Sequence, residues 1–336
     1  MDEARSKRHS KPDQAGGPPL DLAALAGLLK VCDLDVVLLD RQGACPGVAT
    51  SVDEDALIYS ITNAFTFRGR FTLPPDWCLF GYVHHTDPSA SWCHGVSMDT
   101  GMVVTVLPGA SSEFVLSAGS RLTLVLIPLS ALKQRLSELG LGASLPTIGQ
   151  YVRLFRPSGD ATARRLEQLA TRLAQWSRES GPQETSDRLE GASAYVRAHL
   201  MAKFSATPDD RPRCSRGRLM HYRILRRAED FMRLHMHRNV YMQEICNTVG
   251  VSERTLRYAF DELLGISPNR YLSMLRLCTA NRSLSASDAS RHSVKSIALN
   301  CGLWDLSKFA GKYRRIFGEL PSDTLLRSPP VGIWRM

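Results

Sequence analysis

Two short stretches in the last third of the chain carry polar and basic side chains at the spacing of one helical face, and these side chains suit contacts with nucleic acid. Arginine can donate paired hydrogen bonds to guanine, whereas lysine provides a point charge that suits a phosphate. Each stretch follows an apolar segment and a glycine, which is the pattern of a helix, a tight turn and a second helix. The predicted contacts are Ser252, Glu253, Arg254, Arg257, Tyr258, Ser307, Lys308, Gly311 and Lys312.

The two stretches are copies of one unit. Ile245 and Gly250 reappear 52 residues later as Ile297 and Gly302, and beyond the turn the offset becomes 53. Such internal similarity indicates a duplicated structural element. In each copy the glycine allows the left-handed backbone that ends the first helix, and a residue such as Ser252 can cap the second.

Positive charge is concentrated around these copies. The chain has 336 residues and a net charge of +9, and after residue 205 it holds 22 Lys and Arg against 12 Asp and Glu. A region that meets a polyanion is expected to be basic. A plain helical hairpin would explain either copy alone, but two copies in register within the basic region favour a double helix-turn-helix DNA-binding domain over residues 218–328.

The residues of both copies resemble the AraC/XylS family of transcription regulators. Three segments carry the resemblance: residues 250–260 (GVSERTLRYAF), residues 265–277, and residues 297–322. The resemblance implies two helix-turn-helix subdomains joined by a long helix at about 268–283, with both recognition helices on one face of the DNA. It also implies a regulator, most often an activator, whose partners are double-stranded promoter DNA and RNA polymerase.

The second copy departs from the family pattern. Leu303 stands where the family usually has Phe, and Gly311 lies inside the recognition helix, where glycine costs about 1 kcal/mol relative to alanine. We therefore expect the first copy to recognise bases, chiefly through Arg254 and Arg257. The second copy is expected to dock mainly on phosphates.

The N-terminal part has a different pattern. Short apolar runs between residues 35 and 127, separated by Pro, Gly, Asp and Ser, predict a β-rich region. The predicted fold class is thus α+β and multidomain. A β-rich, cupin-like barrel with helices at about 161–204 occupies residues 20–206, and an all-α domain follows. Residues 1–19 are polar and are predicted to be a disordered arm. By the resemblance, residues 20–206 sense a small molecule or mediate dimerisation.

The helices at 161–204 include one with an apolar stripe. Leu166, Leu169, Leu173 and Trp176 recur at steps of three and four residues, which predicts an amphipathic helix. This stripe could hold two subunits of a homodimer together or pack on the β-rich region. We expect the dimer interface here, although the pattern itself leaves both interpretations open.

The β-rich region offers candidate ligand contacts but no clear catalytic site. Aromatic residues that could line a small-molecule pocket, or simply form the core of the sheets, are Phe67, Phe80, Tyr82 and Trp92. Adjacent His84 and His85 on a strand would point to opposite faces, so no metal site and no cofactor are predicted. No nucleophile-elbow, zinc-protease or phosphate-loop motif occurs, and the chain is not expected to be an enzyme. Two alternatives remain: a metal-dependent cupin-type enzyme with a DNA-binding tail, and a ligand-independent dimeric regulator.

The expected location is the cytoplasm. The sequence contains no apolar run of membrane-spanning length, so no membrane partner is expected, and its start lacks the apolar centre of a signal peptide. The eight cysteines are scattered and form no CxxC pair, which is typical of reduced thiols.

Overall fold

The computed structural model covers most of the chain but not the predicted arm at 1–19, which lies outside the described residues. The side chains of 48–53, 135 and 185–187 also lie outside the description. The structure describes residues 22, 29–40, 48–53, 56–138, 140, 152–177, 185–207, 210, 212 and 214–327.

The described N-terminal strands form two antiparallel sheets. In the first sheet the strand order is β1-β4-β9-β6-β7, and in the second it is β11-β8-β5-β10-β3-β2. The strands are β1 (Asp35–Leu38), β2 (Val48–Asp53), β3 (Ala56–Thr62), β4 (Phe67–Thr72), β5 (Trp77–His85), β6 (Trp92–Cys93), β7 (Val96–Ser97), β8 (Val103–Val106), β9 (Ser111–Leu116), β10 (Arg121–Pro128) and β11 (Val152–Phe155). The prediction of a β-rich region is confirmed, whereas a single closed, cupin-like barrel stays a prediction.

The two sheets face each other across an apolar interior. Phe67 and Phe114 from the first sheet and Leu79 and Leu122 from the second line this space. Residues that alternate with them point outward, because successive side chains of a strand lie on opposite faces. Each sheet therefore has one face in the shared interior and a second face that other elements can cover.

Ten described helices complete the fold. They are α1 (Leu129–Glu138), α2 (Asp160–Trp176), α3 (Thr185–Ser205), α4 (Arg216–His235), α5 (Met242–Val249), α6 (Glu253–Leu264), α7 (Pro268–Ser285), α8 (Val294–Asn300), α9 (Leu306–Phe317) and α10 (Pro321–Leu326). We call the two sheets with α1–α3 the β-rich region and α4–α10 the helical region. Among the described helices, none is long and apolar enough to cross a membrane.

Helices α2 and α3 cover the outer face of the second sheet. Leu166 and Leu173 of α2 are buried in one cluster with Phe80 and Tyr82 of β5. The expectation that this stripe forms a dimer interface is therefore wrong for its two most buried leucines, because they already pack within their own chain. The alternative packing, on the β-rich region, is the one observed.

Helix α7 connects the two helix-turn-helix units of the helical region. Ser267 caps it through the backbone N–H of Arg270, and Pro268 occupies its first turn, where a missing N–H has no cost. At 1.5 Å per residue its 18 residues span about 27 Å. Helices α4, α5 and α6 pack together on one side of α7, and α8, α9 and α10 pack together on the other.

A buried ion cluster joins the helical region to the outer face of the first sheet. Arg68 of β4 is fully buried, and its Nη2 lies 2.7 Å from Glu113 Oε2 of β9 and 3.0 Å from Glu229 Oε2 of α4. Burial disfavours the charged form of Glu229, but Arg68 and Arg233 outweigh it and lower the pKa of this carboxyl to about 2. Both carboxylates are therefore ionised at neutral pH.

Further hydrogen bonds to both carboxylates complete this cluster. Tyr222 donates its hydroxyl to Glu113 Oε2 at 3.0 Å, and Tyr271 of α7 donates its hydroxyl to Glu229. Arg233 Nη2 lies 2.9 Å from the second oxygen of Glu229. We call these residues, with Arg68, the interregion cluster. Its members come from two strands and two helices, so it fixes how the two regions dock.

Trp92 adds a second contact between the regions. Its indole N–H donates to the carbonyl of Leu263, at the end of α6, with an N–O distance of 2.7 Å. The guanidinium of Arg68 lies 4.9 Å from the centroid of the Trp92 ring. A strand of the first sheet is thereby tied directly to a helix of the first helix-turn-helix unit.

We predict that Glu229→Gln lowers the free energy of unfolding by about 3–5 kcal/mol, since removing one partner leaves a buried charge uncompensated. Asp230→Asn is the matched control: Asp230 pairs with Arg70 but is 52% exposed, so its loss should cost at most about 1 kcal/mol. Urea denaturation at pH 7 measures both. Because the pKa of Glu229 is depressed, wild type loses this stabilisation as pH falls from about 4.5 towards 2. The Glu229→Gln variant, which has no carboxyl group at this position, should not show that loss. Equal losses of stability in the two variants would contradict the conclusion that Glu229 is a buried charge on which the cluster depends.

Candidate nucleic-acid interface

The first helix-turn-helix unit consists of α5, a tight turn and α6. Ile245 and Val249 of α5 are buried, and α5 ends at Gly250, whose φ is 81°. A β-carbon at Gly250 would meet nothing within 4 Å, so its backbone conformation alone favours glycine there. Ser252 then caps α6, since its Oγ accepts from the N–H of Thr255 at 3.2 Å. The local structure agrees with each feature predicted from the sequence.

The second unit consists of α8, its turn and α9, and its glycine has an additional role. Gly302 has a φ of 71°, and a β-carbon there would lie 2.0 Å from the carbonyl oxygen of Met236, which follows α4. That carbonyl also accepts from Arg276 Nε of α7 at 2.9 Å. The absence of a side chain at Gly302 therefore allows the second unit to pack directly against the end of α4. Asp305 caps α9 by accepting from the N–H of Lys308 at 3.0 Å.

The inner faces of α6 and α9 anchor both helices. Leu256 and Phe260 of α6 are buried, and Phe309 and Tyr313 occupy the same positions on α9. All nine sequence-predicted contacts lie on the opposite, exposed faces or at the exposed start of these helices: Ser252, Glu253, Arg254, Arg257, Tyr258, Ser307, Lys308, Gly311 and Lys312. The structure thus places every predicted contact where DNA could reach it.

The two exposed arginines of α6 are held by partners on the same helix. Arg257 Nη2 lies 2.6 Å from Glu253 Oε1, and Arg254 Nη2 donates to the hydroxyl of Tyr258 at 3.0 Å. Both guanidinium groups project from one face, and Arg257 is 67% exposed. Such exposed pairs contribute little to stability, so they can exchange for contacts to DNA at small cost.

Helix α9 presents a different surface. Lys308 is 78% exposed and lies 3.0 Å from Asp305, which caps the same helix. Hydrogen bonds from Ser307 and Lys308 hold the pKa of Asp305 below its usual range, the Lys308 backbone N–H having the largest effect. Gly311 has open space around it, so a phosphate backbone could approach closely at that position.

Trp304 is a candidate contact that sequence reasoning missed. It lies in the turn before α9 and is 54% exposed. A large apolar side chain outside the periodic core pattern was the available signal. It immediately precedes Asp305, which caps α9, so it adds an exposed aromatic surface at the start of that helix.

The aromatic residues predicted to form a ligand pocket are not brought together. Phe67 lines a cavity of about 70 Å³ between the sheets, together with other apolar side chains. Phe80 and Tyr82 lie on the opposite face of the second sheet, against α2 and α3. Trp92 belongs to the contact with the helical region. Alternation along β5 explains the error, because residues 80 and 82 share a face that turned out to be the outer one.

No group of three His, Cys, Asp or Glu side chains suited to a metal ion occurs among the described residues. His84 and His94 have other partners. The imidazole of His84 hydrogen-bonds the Thr123 hydroxyl at 2.8 Å, and that of His94 hydrogen-bonds the Tyr222 hydroxyl at 3.0 Å.

Comparison with known proteins gives matches to regulators of transcription. A family model described as a helix-turn-helix domain matches residues 245–327. The chain is 33% identical over 106 residues to a probable thc operon regulatory protein of Rhodococcus erythropolis, covering 32% of each protein. It is 33% identical over 99 residues to a XylDLEGF operon transcriptional activator of Pseudomonas putida, covering 30% of this chain and 31% of the relative. The chain thus matches about a third of the length of these two relatives.

Among solved structures, a transcriptional regulator of Chromobacterium violaceum, described as containing an AraC-type DNA-binding domain, is also similar. It is 28% identical over 32% of this chain and 95% of that chain, with a TM-score of 0.30.

We predict that Arg257→Ala weakens binding to the specific promoter by about 1–3 kcal/mol more than binding to random DNA, because only base recognition depends on sequence. Electrophoretic mobility shifts at one fixed salt concentration measure both affinities. Arg223→Ala, at an exposed position of α4, is the control and should leave this difference unchanged. Equal losses on promoter and random DNA would argue against base recognition by Arg257.

We predict that Lys308→Ala lowers affinity for all DNA sequences to a similar degree. Loss of one phosphate contact should also reduce the slope of log affinity against log salt concentration by roughly 1. Titrations followed by fluorescence anisotropy at several salt concentrations give this slope. Lys133→Ala, exposed on α1, serves as the control. A slope equal to that of wild type would refute a phosphate contact.

Proposed function

This chain carries the DNA-binding domain of the AraC/XylS family of transcription regulators, and from that premise we propose that it binds promoter DNA sequence-specifically under the control of a small-molecule effector held by the β-rich region. Control by an effector and recognition of a specific promoter go beyond that premise. Both curated relatives described above are regulators of operons by name.

One observation carries the DNA-binding part. Two helix-turn-helix units, each with its inner face buried and its outer face exposed, are joined by one long helix. Exposed basic residues lie on both recognition helices, Arg254 and Arg257 on α6 and Lys308 and Lys312 on α9. Two such helices held at a fixed separation suit successive major grooves.

The contacts of β4 and β9 support the effector part. Phe67 and Phe114 line the interior cavity, whereas their chain neighbours Arg68 and Glu113 belong to the interregion cluster on the other face. A shift of β4 or β9 would therefore change both the interior cavity and the interregion cluster. Glu229 of α4 would feel that movement through its contact with Arg68.

The remaining partners follow from the same proposal. A regulator of promoters acts on RNA polymerase, works in the cytoplasm and often binds DNA as a homodimer. If a dimer forms, it uses a surface other than the buried leucines of α2. These assignments rest on the family resemblance and on the DNA-binding surface.

Genome-wide mapping of bound DNA, followed by DNase footprinting of the strongest site, tests the proposal. We expect protection of two regions on one face of the duplex, about one helical turn apart, because two recognition helices enter successive major grooves. The double substitution Arg254→Ala and Arg257→Ala should remove the footprint at the same protein concentration. Binding without sequence preference across the genome would contradict a promoter-specific regulator.

A further inference from the structure

A cleft separate from the interior cavity opens at one side of the β-rich region. It lies between β11, at the edge of the second sheet, and the turn that joins β6 to β7, at the edge of the first. The last turn of α3 closes one end of it. Its volume is about 320 Å³, larger than the 70 Å³ of the interior cavity.

The described lining of the cleft carries positive charge and no negative charge. Lys203 of α3 and Arg153 of β11 line it, and its described lining contains no Asp or Glu. The ammonium nitrogen of Lys203 is buried and has no hydrogen-bond partner among the described residues. Burial, and to a smaller degree the charge of Arg153, lower the pKa of Lys203 to about 8. A buried cation beside a like charge is costly unless an anion joins it.

The remaining walls are largely apolar. Val96, Leu154 and Phe155 are among its lining residues, and Cys93 lines both the cleft and the interior cavity. An occupant would therefore meet both polar and hydrocarbon surface, with positive charge from Lys203 and Arg153. Mostly apolar walls with a few placed polar groups are the usual composition of a small-molecule site.

One wall of the cleft contacts the interregion cluster directly. His94 lies in the turn between β6 and β7, has a φ of 50°, and hydrogen-bonds the Tyr222 hydroxyl at 3.0 Å. A β-carbon at the next residue, Gly95, would lie 2.8 Å from Cβ of Tyr222. Tyr222 in turn donates to Glu113. A left-handed histidine is an uncommon, strained conformation, so tight packing against α4 holds this turn in place.

We propose that this cleft binds a small organic anion with an apolar body, whose carboxylate pairs with Lys203 and Arg153. The inference deepens the proposed function and rests on it, because it names the chemical class of the effector and its site. The anion supplies a counterion for Lys203, and its hydrocarbon part lies against the apolar part of the lining. Occupancy at the His94 turn then acts on Tyr222 and the interregion cluster.

Calorimetric titration of the full chain without DNA tests this site. The probes are 4-phenylbutanoate and its uncharged analogue 4-phenylbutan-1-ol. We expect the carboxylate to bind about tenfold or more tightly than the alcohol, since a charge-assisted hydrogen bond distinguishes them. Lys203→Met should abolish that preference and Lys203→Arg should retain it. Lys133→Met, exposed on α1, should behave as wild type.

A second measurement needs no variant. Nuclear magnetic resonance of the lysine ammonium groups should show the pKa of Lys203 rising from about 8 when 4-phenylbutanoate is added, because an anion favours the charged form. Equal affinity for both probes, a preference that survives Lys203→Met, no binding at millimolar concentration, or an unmoved pKa would each overturn the site. A missing DNA footprint with intact anion binding would contradict the proposed function and not the cleft.

Discussion

The docking of the two regions depends on one buried arginine. Arg68 has no exposed surface, and it is tolerated only because Glu113 from its own sheet and Glu229 from α4 both lie within 3.0 Å. Separating the regions would break the contact of Arg68 with Glu229 and expose both side chains to water, although each keeps one partner in its own region, Glu113 or Arg233. A contact that is lost in one step when the regions separate suits control by a ligand.

The cluster lies between the β-rich region, where we propose that an effector binds, and the DNA-binding helices. On one side it adjoins α4 and α7, which support the first helix-turn-helix unit and the connecting helix. On the other side it lies behind the interior cavity and next to the His94 turn. The contact of Trp92 with Leu263 ties the same sheet to the end of α6. A displacement of the first sheet could thus reach α6, a recognition helix, through the single contact of Trp92 with Leu263.

The two helix-turn-helix units are similar in sequence but differ in what stabilises them. In the first, Phe260 packs against the ring of Tyr271 with centroids 5.6 Å apart. In the second, the corresponding Tyr313 accepts from Asn281 at 2.7 Å and hydrogen-bonds Thr324 at 2.8 Å. The second unit also meets the end of α4 at Gly302. The connecting helix and this contact together set the separation of the recognition helices.

The sequence by itself determined the duplicated helices, their glycine turns and caps, and the exposure of the nine predicted contact positions, because helical periodicity and capping act over a few residues. It predicted strands but left open whether Phe80 and Tyr82 line a pocket or form part of the core, since alternation shows two faces without showing which one is interior. Only the tertiary structure brought Arg68 to Glu229, 161 residues away, and buried the ammonium nitrogen of Lys203 with no hydrogen-bond partner among the described residues. Charge pairing between distant elements has no local signal, so the interregion cluster and the cationic cleft follow from packing alone.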